Sequence, residues 1–381
     1  MSKRILIFTT AEGHYSLAEA SRDYLEKNFH VRIIKYDFDR VLGVYRQFYL
    51  FFPSLNKIPY EIGKKGKIIN MALKLYEKTY SKKVYSDILH FKPDLIISTY
   101  TAFNNVISDF ISKQLRQIPF INIIANPQIL PIEFEQNADS NLVYDSSGVR
   151  SGIKYKIPKN KIEKIGWLVR KAYYQKYDKK KLLKRFDFSD AVFTCLICGG
   201  SEGTNAIVKI LPALLISKNA LQVIVVCGNN KSLYQRLKKL QFYYQKLQNS
   251  DKSIAKKLKI NKNVKLKILG FEKNMASLIQ ISDLVVGKAG PNLLFETAAC
   301  GKPFMAITHI SGQEDKNLNL IKEKQLGLVE ENPLKAIKLL KKIMGKPELL
   351  NMTINIKKEA KINNKAGEKL EKLVSKLLKT Q

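Results

Sequence analysis

The sequence predicts an α/β protein built from two Rossmann-like domains. Three places in the chain read in the same order: a short apolar run, a glycine-containing loop, then the start of an amphipathic helix. The chain has 381 residues and is 45% apolar, enough for two domains of ordinary size, each with its own core. The boundaries read as 1–166 for the first domain, 171–355 for the second and 356–381 for a C-terminal helix.

The first domain opens with a strand at 4–9, a loop at 11–14 and a helix at 16–27. His14 stands where the helix begins. A histidine there can act as a general base, because its unperturbed pKa lies near neutrality; a plain loop or capping histidine is the alternative. A strand at 31–35 is followed by 44–69, where Tyr45, Phe48, Tyr49, Phe51, Phe52 and Tyr60 alternate with Arg46, Lys57, Lys64, Lys65 and Lys67. Rings suit the acyl boundary of a bilayer and ammonium groups suit lipid phosphates. The expectation is therefore a membrane-binding element carried by Phe48, Phe51, Phe52, Lys64, Lys65 and Lys67. A buried helix beside a solvated basic loop is the alternative. Helices at 71–90 and 103–115 alternate with strands at 94–98 and 120–124, and a short strand at 141–144 precedes a helix opened by Ser146.

The second domain begins with a strand at 191–198, and Gly199, Gly200, Ser201 and Gly203 follow before a helix at 205–216. Loop N–H groups and the Ser201 hydroxyl can hold a pyrophosphate. No Gly-Lys-Ser/Thr follows, and the loop is not GxGxxG, which disfavours an NAD site. Strands at 221–227 and 264–269 flank a long basic helical region at 229–257. Gly270 and Phe271 end the latter strand, where ligands bind in open α/β sheets. Phe271 and Met275 can cover a nucleobase or belong to the core.

The densest stretch is 282–317. A strand at 283–286 meets a turn bracketed by Gly287 and Gly290, with Lys288 between them. Pro291 suits the first helical position. Asn292 follows it, and Gly301 ends the helix. Strand, turn and helix start together make a phosphate site. Glu296 lies about one and a half turns into that helix, placed to accept hydrogen bonds from a ribose diol. Gln313, Glu314, Asp315 and Asn317 follow the next apolar run and offer the donors and acceptors that sugar hydroxyls need. An ordinary βαβ unit is the alternative.

Lys and Arg number 66 against 33 Asp and Glu, a net charge of +33. That excess favours an anionic partner, either nucleic acid or an anionic membrane surface. No nucleic-acid motif is recognisable, so nucleic acid is not the expected partner. Cys195 and Cys198 form a C-x-x-C with no second pair at zinc spacing, which reads as buried free thiols in a reducing compartment. No carboxylates stand at Mg²⁺ spacing, so no metal is expected. Neither a signal peptide nor a run of about 18 apolar residues is present, so the expected location is the cytoplasmic face of a membrane, held peripherally.

Gly270-Phe271, Met275, Ser282-Asp283-Leu284, Lys288-Ala289-Gly290-Pro291, Glu296, Gly301-Lys302-Pro303, Gly312-Gln313-Glu314 and Asn317 occur in this order and spacing. They resemble the donor half of the monogalactosyldiacylglycerol synthase family. That family includes processive diacylglycerol glucosyltransferases and is related to the lipid-linked N-acetylglucosamine transferase of cell-wall synthesis. The resemblance spans roughly 3–333. It implies the GT-B arrangement, two Rossmann-like domains facing across a cleft, with the C-terminal helix returning to the first domain. The second domain would bind a UDP-sugar through Gly199, Gly200, Ser201, Gly203, Phe271, Met275, Lys288, Gly290, Pro291, Asn292, Glu296, Gln313, Glu314 and Asn317. The first would bind diacylglycerol, and the transfer would invert the anomeric carbon without a cofactor. UDP-galactose comes first by the family name and UDP-glucose second. Gly13-His14 match the end of a family loop in which Ala11 and Glu12 replace glycines. Asn126 stands where the family has Asp, which leaves Glu133 or Glu135 to supply a carboxylate. Residues 164–170 resemble the family's Gly-x-Pro-Val-Arg crossing, with Leu168 in place of Pro. Rival readings are an N-acetylglucosamine transferase to a cell-wall precursor, a UDP-sugar epimerase or hydrolase, a basic nucleic-acid-binding protein, and a nucleotide-sugar binder without turnover.

Overall fold

The computed structural model describes residues 2–11, 13–37, 67–114, 117–199, 206–216, 219–250, 261–344 and 352–379. The chain divides into two compact units. One comprises Met1–Lys171, Ser311–Lys316 and Lys361–Gln381; the other comprises Ala172–Ile310 and Asn317–Ala360.

The first unit is a six-stranded parallel sheet in the order β2-β1-β3-β4-β5-β6. Its strands are β1 (Arg4–Thr9), β2 (His30–Lys35), β3 (Leu95–Ser98), β4 (Phe120–Ile123), β5 (Ser140–Val143) and β6 (Ile162–Lys164). Ile5, Leu6, Ile7 and Phe8 are all fully buried, which is why β1 reads as an unbroken apolar run. Edge strand β2 is more exposed and alternates. The helices are α1 (Gly13–Leu25), α2 (Lys67–Phe91), α3 (Asn104–Ser112) and α4 (Ser146–Lys154). Val84 and Ile88 of α2 join Val106, Ile107 and Phe110 of α3 over Leu6, Phe8 and Ile96 of the sheet.

The second unit begins with α5 (Lys179–Arg185) and builds its sheet from β7 (Thr194–Cys198), β8 (Leu221–Val226), β9 (Val264–Leu269), β10 (Leu284–Lys288), β11 (Phe304–Thr308) and β12 (Gly327–Val329). All are parallel, in the order β12-β11-β10-β7-β8-β9. Between and after them run α6 (Ala206–Leu215), α7 (Lys231–Gln248), α8 (Met275–Ile281), α9 (Pro291–Ala299), α10 (Asp315–Glu323), α11 (Pro333–Met344) and α12 (Thr353–Asn364); the last helix, α13 (Ala366–Lys379), belongs to the first unit.

The two orders differ in kind. The first runs 2-1-3-4-5-6, so the direction of winding reverses between β1 and β3. The second, renumbered from β7, runs 6-5-4-1-2-3, the nucleotide-binding Rossmann order, and reverses between β7 and β10. Ligands of open α/β sheets bind outside the carboxyl ends of the strands at these reversal points.

The apolar pattern of 354–378 reads as one helix, but the chain breaks it at Lys365 into α12 and α13. The break lets α13 pack on α1: Gly367 lies on the Tyr24 ring so closely that a Cβ there would fall 2.2 Å from it. Asn363 Oδ1 accepts from the Trp167 amide at 2.9 Å. Arg170 reaches Glu19 at 2.8 Å and Asp23 at 3.4 Å, both on α1. Residues 166–170 are thus fixed onto the helix that carries His14. Among the described residues no helix is long and apolar enough to cross a membrane.

Candidate donor and acceptor sites

In the second unit the reversal point is made of backbone. Gly287 lies opposite Cys198 in the β10–β7 register. A Cβ on Gly287 would stand 2.5 Å from the Cys198 carbonyl oxygen and 2.8 Å from Leu293 Cδ2. Only glycine lets β7, β10 and α9 come this close. After Gly287 the β10–β11 register shifts, so that Lys288 pairs with Thr308. The Gly290 amide then donates to the Lys288 carbonyl at 2.7 Å, closing a tight turn. Gly290 is the N-cap of α9 with no side-chain cap, and Pro291 occupies the first turn. This end of α9 therefore offers backbone N–H groups and the positive end of the helix dipole.

Glu296 is partly exposed on α9. Burial raises the Cys198 thiol and raises Cys300 to about 12, and in both the Glu296 carboxylate adds to it. Glu296 therefore lies beside the end of β7. Burial also raises Cys195 to about 12 and Cys227 to about 11, so these thiols stay protonated and are poor nucleophiles. Asn317 is 2% exposed, and its Nδ2 donates to the Ala289 carbonyl at 2.9 Å. It pins the turn, while its buried Oδ1 has no partner among the described residues. Phe271 follows edge strand β9 and is 61% exposed, so it is not core; Met275, partly exposed, opens α8. Gln313 is partly exposed and Glu314 buried, both in Ser311–Lys316 of the first unit. Gly199 follows β7 and is buried. Gly200, Ser201 and Gly203 lie outside the described residues, as do Phe48, Phe51, Phe52, Lys64 and Lys65 and the side chain of Lys67.

In the first unit the reversal point carries titratable side chains. His14 sits in the first turn of α1, after β1. Its Nδ1 lies 2.5 Å from the Thr99 carbonyl oxygen, after β3. A carbonyl only accepts, so Nδ1 carries the proton and Nε2 keeps its lone pair. The Thr99 hydroxyl, with a single proton to donate, lies 2.8 Å from Thr9 Oγ1 and 3.2 Å from the His14 carbonyl oxygen. Tyr100 packs edge-on against the imidazole, 4.8 Å between centroids. Burial lowers the His14 pKa from its ordinary value, against the opposing pull of the Thr99 bond. The ring is therefore neutral at pH 7.

Beyond β4, the next strand in the sheet, Asn126 and Glu133 come together. Asn126 Nδ2 donates to Glu133 Oε1 at 2.6 Å, and the Leu130 amide donates to Oε2 at 2.6 Å. Burial outweighs these bonds and raises the Glu133 carboxyl to about 7. Glu135 is separate: it is buried, and its Oε1 accepts from the Asn137 amide at 2.9 Å inside its own turn. The loop is held by a ladder of buried asparagines that sequence reasoning missed. Asn104 Nδ2 donates to Asn122 Oδ1 at 3.2 Å, and Asn122 Nδ2 donates to Asn141 Oδ1 and to the Glu133 carbonyl, both at 2.8 Å. Asn141 closes the set with bonds to the Glu135 amide and carbonyl, each 2.9 Å. The available signal was an asparagine inside each apolar strand, Phe120–Ile123 and Ser140–Val143.

Two parallel sheets, one in Rossmann order with a glycine-built turn at its reversal point, define a protein of the GT-B fold class. The family model "Glycosyltransferase family 28 C-terminal domain" matches residues 194–377. The processive diacylglycerol beta-glucosyltransferase of Bacillus subtilis (strain 168) is 24% identical over 376 residues, covering 93% of this chain and 91% of its own. The probable monogalactosyldiacylglycerol synthase 2, chloroplastic, of Oryza sativa subsp. indica is 23% identical over 353 residues, covering 87% and 71%. The crystal structure of Acinetobacter baumannii MurG superposes with a TM-score of 0.57 at 14% identity, over 98% of this chain and 99% of that one. Over most of its length the chain is thus similar to processive diacylglycerol glycosyltransferases and monogalactosyldiacylglycerol synthases, and its second half matches the glycosyltransferase family 28 C-terminal domain.

Proposed function

We propose that the protein transfers a hexose from a UDP-sugar to diacylglycerol at the cytoplasmic face of a membrane, inverting the anomeric carbon. The observation that carries this reading is the capless start of α9 at the β7/β10 reversal point, with Glu296 beside it. Backbone N–H groups and the helix dipole meet the diphosphate, and Glu296 accepts from the ribose hydroxyls. In the first unit, His14 Nε2 takes the proton of the acceptor hydroxyl. The acceptor oxygen bonds to the anomeric carbon as the bond to UDP breaks, and UDP leaves with its charge held by the α9 end. The Thr99 carbonyl keeps His14 in the tautomer this needs. Glu133, near neutrality, is the second group able to accept a proton. The family name alone put galactose first; the Bacillus relative, matched over more of both chains, is a glucosyltransferase by name, and this favours glucose.

The test is incubation of the purified protein with diacylglycerol vesicles and UDP-glucose, UDP-galactose or UDP-N-acetylglucosamine in turn, followed by identification of the lipid product. A hexosyl-diacylglycerol is expected. Release of free sugar at the same rate with and without lipid contradicts the reading.

A further inference from the structure

Helix α7 carries Lys231, Arg236, Lys238, Lys239 and Lys246 and not one carboxylate in its 18 residues. Its inner face is fixed to the second unit. Leu233 and Leu237 are buried in the core, and Asn230 caps the start by accepting from the Leu233 amide at 2.9 Å. Gln241 Nε2 donates to the Leu266 carbonyl and the Tyr244 hydroxyl to the Leu215 carbonyl, each at 2.8 Å. The outer face presents two adjacent rings, Phe242 and Tyr243, 62% and 60% exposed, with centroids 5.5 Å apart. Lys238 and Lys239 stand one turn before this pair and Lys246 one turn after it.

A single exposed ring is ordinary. A rigidly held pair of rings, bracketed by cations and free of carboxylates on its own helix, satisfies two demands at once. The rings need an apolar phase, and the ammonium groups need phosphates at its rim. A convex helix face does not offer the groove that tracks a nucleic-acid strand. We propose that the outer face of α7 is a membrane-docking surface, which seats Phe242 and Tyr243 at the acyl–headgroup boundary of an anionic bilayer. This rests on the proposed lipid acceptor only in that the enzyme works at a bilayer. It places a contact on the second unit, separate from the aromatic stretch at 44–69. Phe242 lies eleven residues along α7 from Lys231, roughly 16 Å from the start of that helix. UDP binding is therefore independent of this contact.

The test uses Phe242→Trp. The native chain has one tryptophan, Trp167, which is 2% exposed and gives a constant background. With vesicles of phosphatidylglycerol and phosphatidylcholine, the added emission should shift to shorter wavelength and be quenched by brominated acyl chains. Phe242→Ser with Tyr243→Ser should weaken vesicle binding by about tenfold or more, with UDP affinity and thermal unfolding unchanged. Lys238→Gln, Lys239→Gln and Lys246→Gln together should weaken it mainly at low salt. An indole at position 242 that stays in water while the protein sediments with vesicles overturns the α7 surface and leaves the lipid-acceptor reading standing. A parent that never sediments with vesicles overturns both. Rings that instead protect a single-stranded oligonucleotide, or that hold a dimer lost in the Ser variant, assign the face to nucleic acid or to a second copy and overturn the proposal.

Discussion

The two units share an architecture and differ in what stands at the point where each sheet reverses. At β7/β10 the second unit places glycines, a capless helix start and protonated thiols. At β1/β3 the first unit places a neutral imidazole locked in one tautomer, with a carboxyl near neutrality one strand further on. Backbone N–H groups do not titrate, so a site built on them can hold an anion at any moderate pH. A histidine and a glutamate with shifted pKa values can move protons. In the proposed mechanism phosphate binding falls to one unit and proton transfer to the other, and each substitution below acts on one side of that proposal.

The largest effect is expected at His14. His14→Ala should lower turnover by about two to four orders of magnitude, the usual range for a lost general base. Near-normal turnover in single-substrate kinetics would move the proton transfer to Glu133.

Gly287→Ala comes next. The added methyl cannot fit against the Cys198 carbonyl without displacing backbone, and overpacking of this kind costs about 1–3 kcal/mol. Both the denaturant midpoint and UDP affinity should fall. A stable variant with parental UDP affinity would show that the close approach is not needed.

Asn122→Ala acts on the other unit. It strips partners from Asn104, Asn141 and the Glu133 carbonyl, at about 1–3 kcal/mol for buried polar groups left unpaired. Stability and turnover should drop together while calorimetry gives unchanged UDP binding. A loss of UDP affinity would break the division of labour.

The smallest effect is the position of the acid limb of kcat/KM. The His14 pKa is lowered, so the neutral base persists as pH falls and activity should decline only below the ordinary imidazole value of about 6.5. If Glu133 is the base, the decline should come near 7, where its carboxyl takes up a proton. His14→Ala should then keep the limb of the parent.

The start of α9 was legible because its chemistry is local. Gly290-Pro291 marks a helix start through one missing N–H and one permitted turn, and α9 begins at Pro291. Strand order was not legible, since β7 pairs with β10 across some ninety residues and no local pattern records it. The asparagine ladder was missed for the same reason: Asn104, Asn122 and Asn141 look like blemishes in apolar runs until the fold brings them together. The break at Lys365 was hidden because the apolar period continues through it, and only the docking of Gly367 on Tyr24 shows why the helix ends.

The division between the units is tested most directly by UDP titration calorimetry on His14→Ala and Glu296→Ala side by side. The account predicts parental affinity for His14→Ala. For Glu296→Ala it predicts a loss of about 1.5–3 kcal/mol, the range for hydrogen bonds to a charged group. Weakened UDP binding in His14→Ala with parental binding in Glu296→Ala would contradict it.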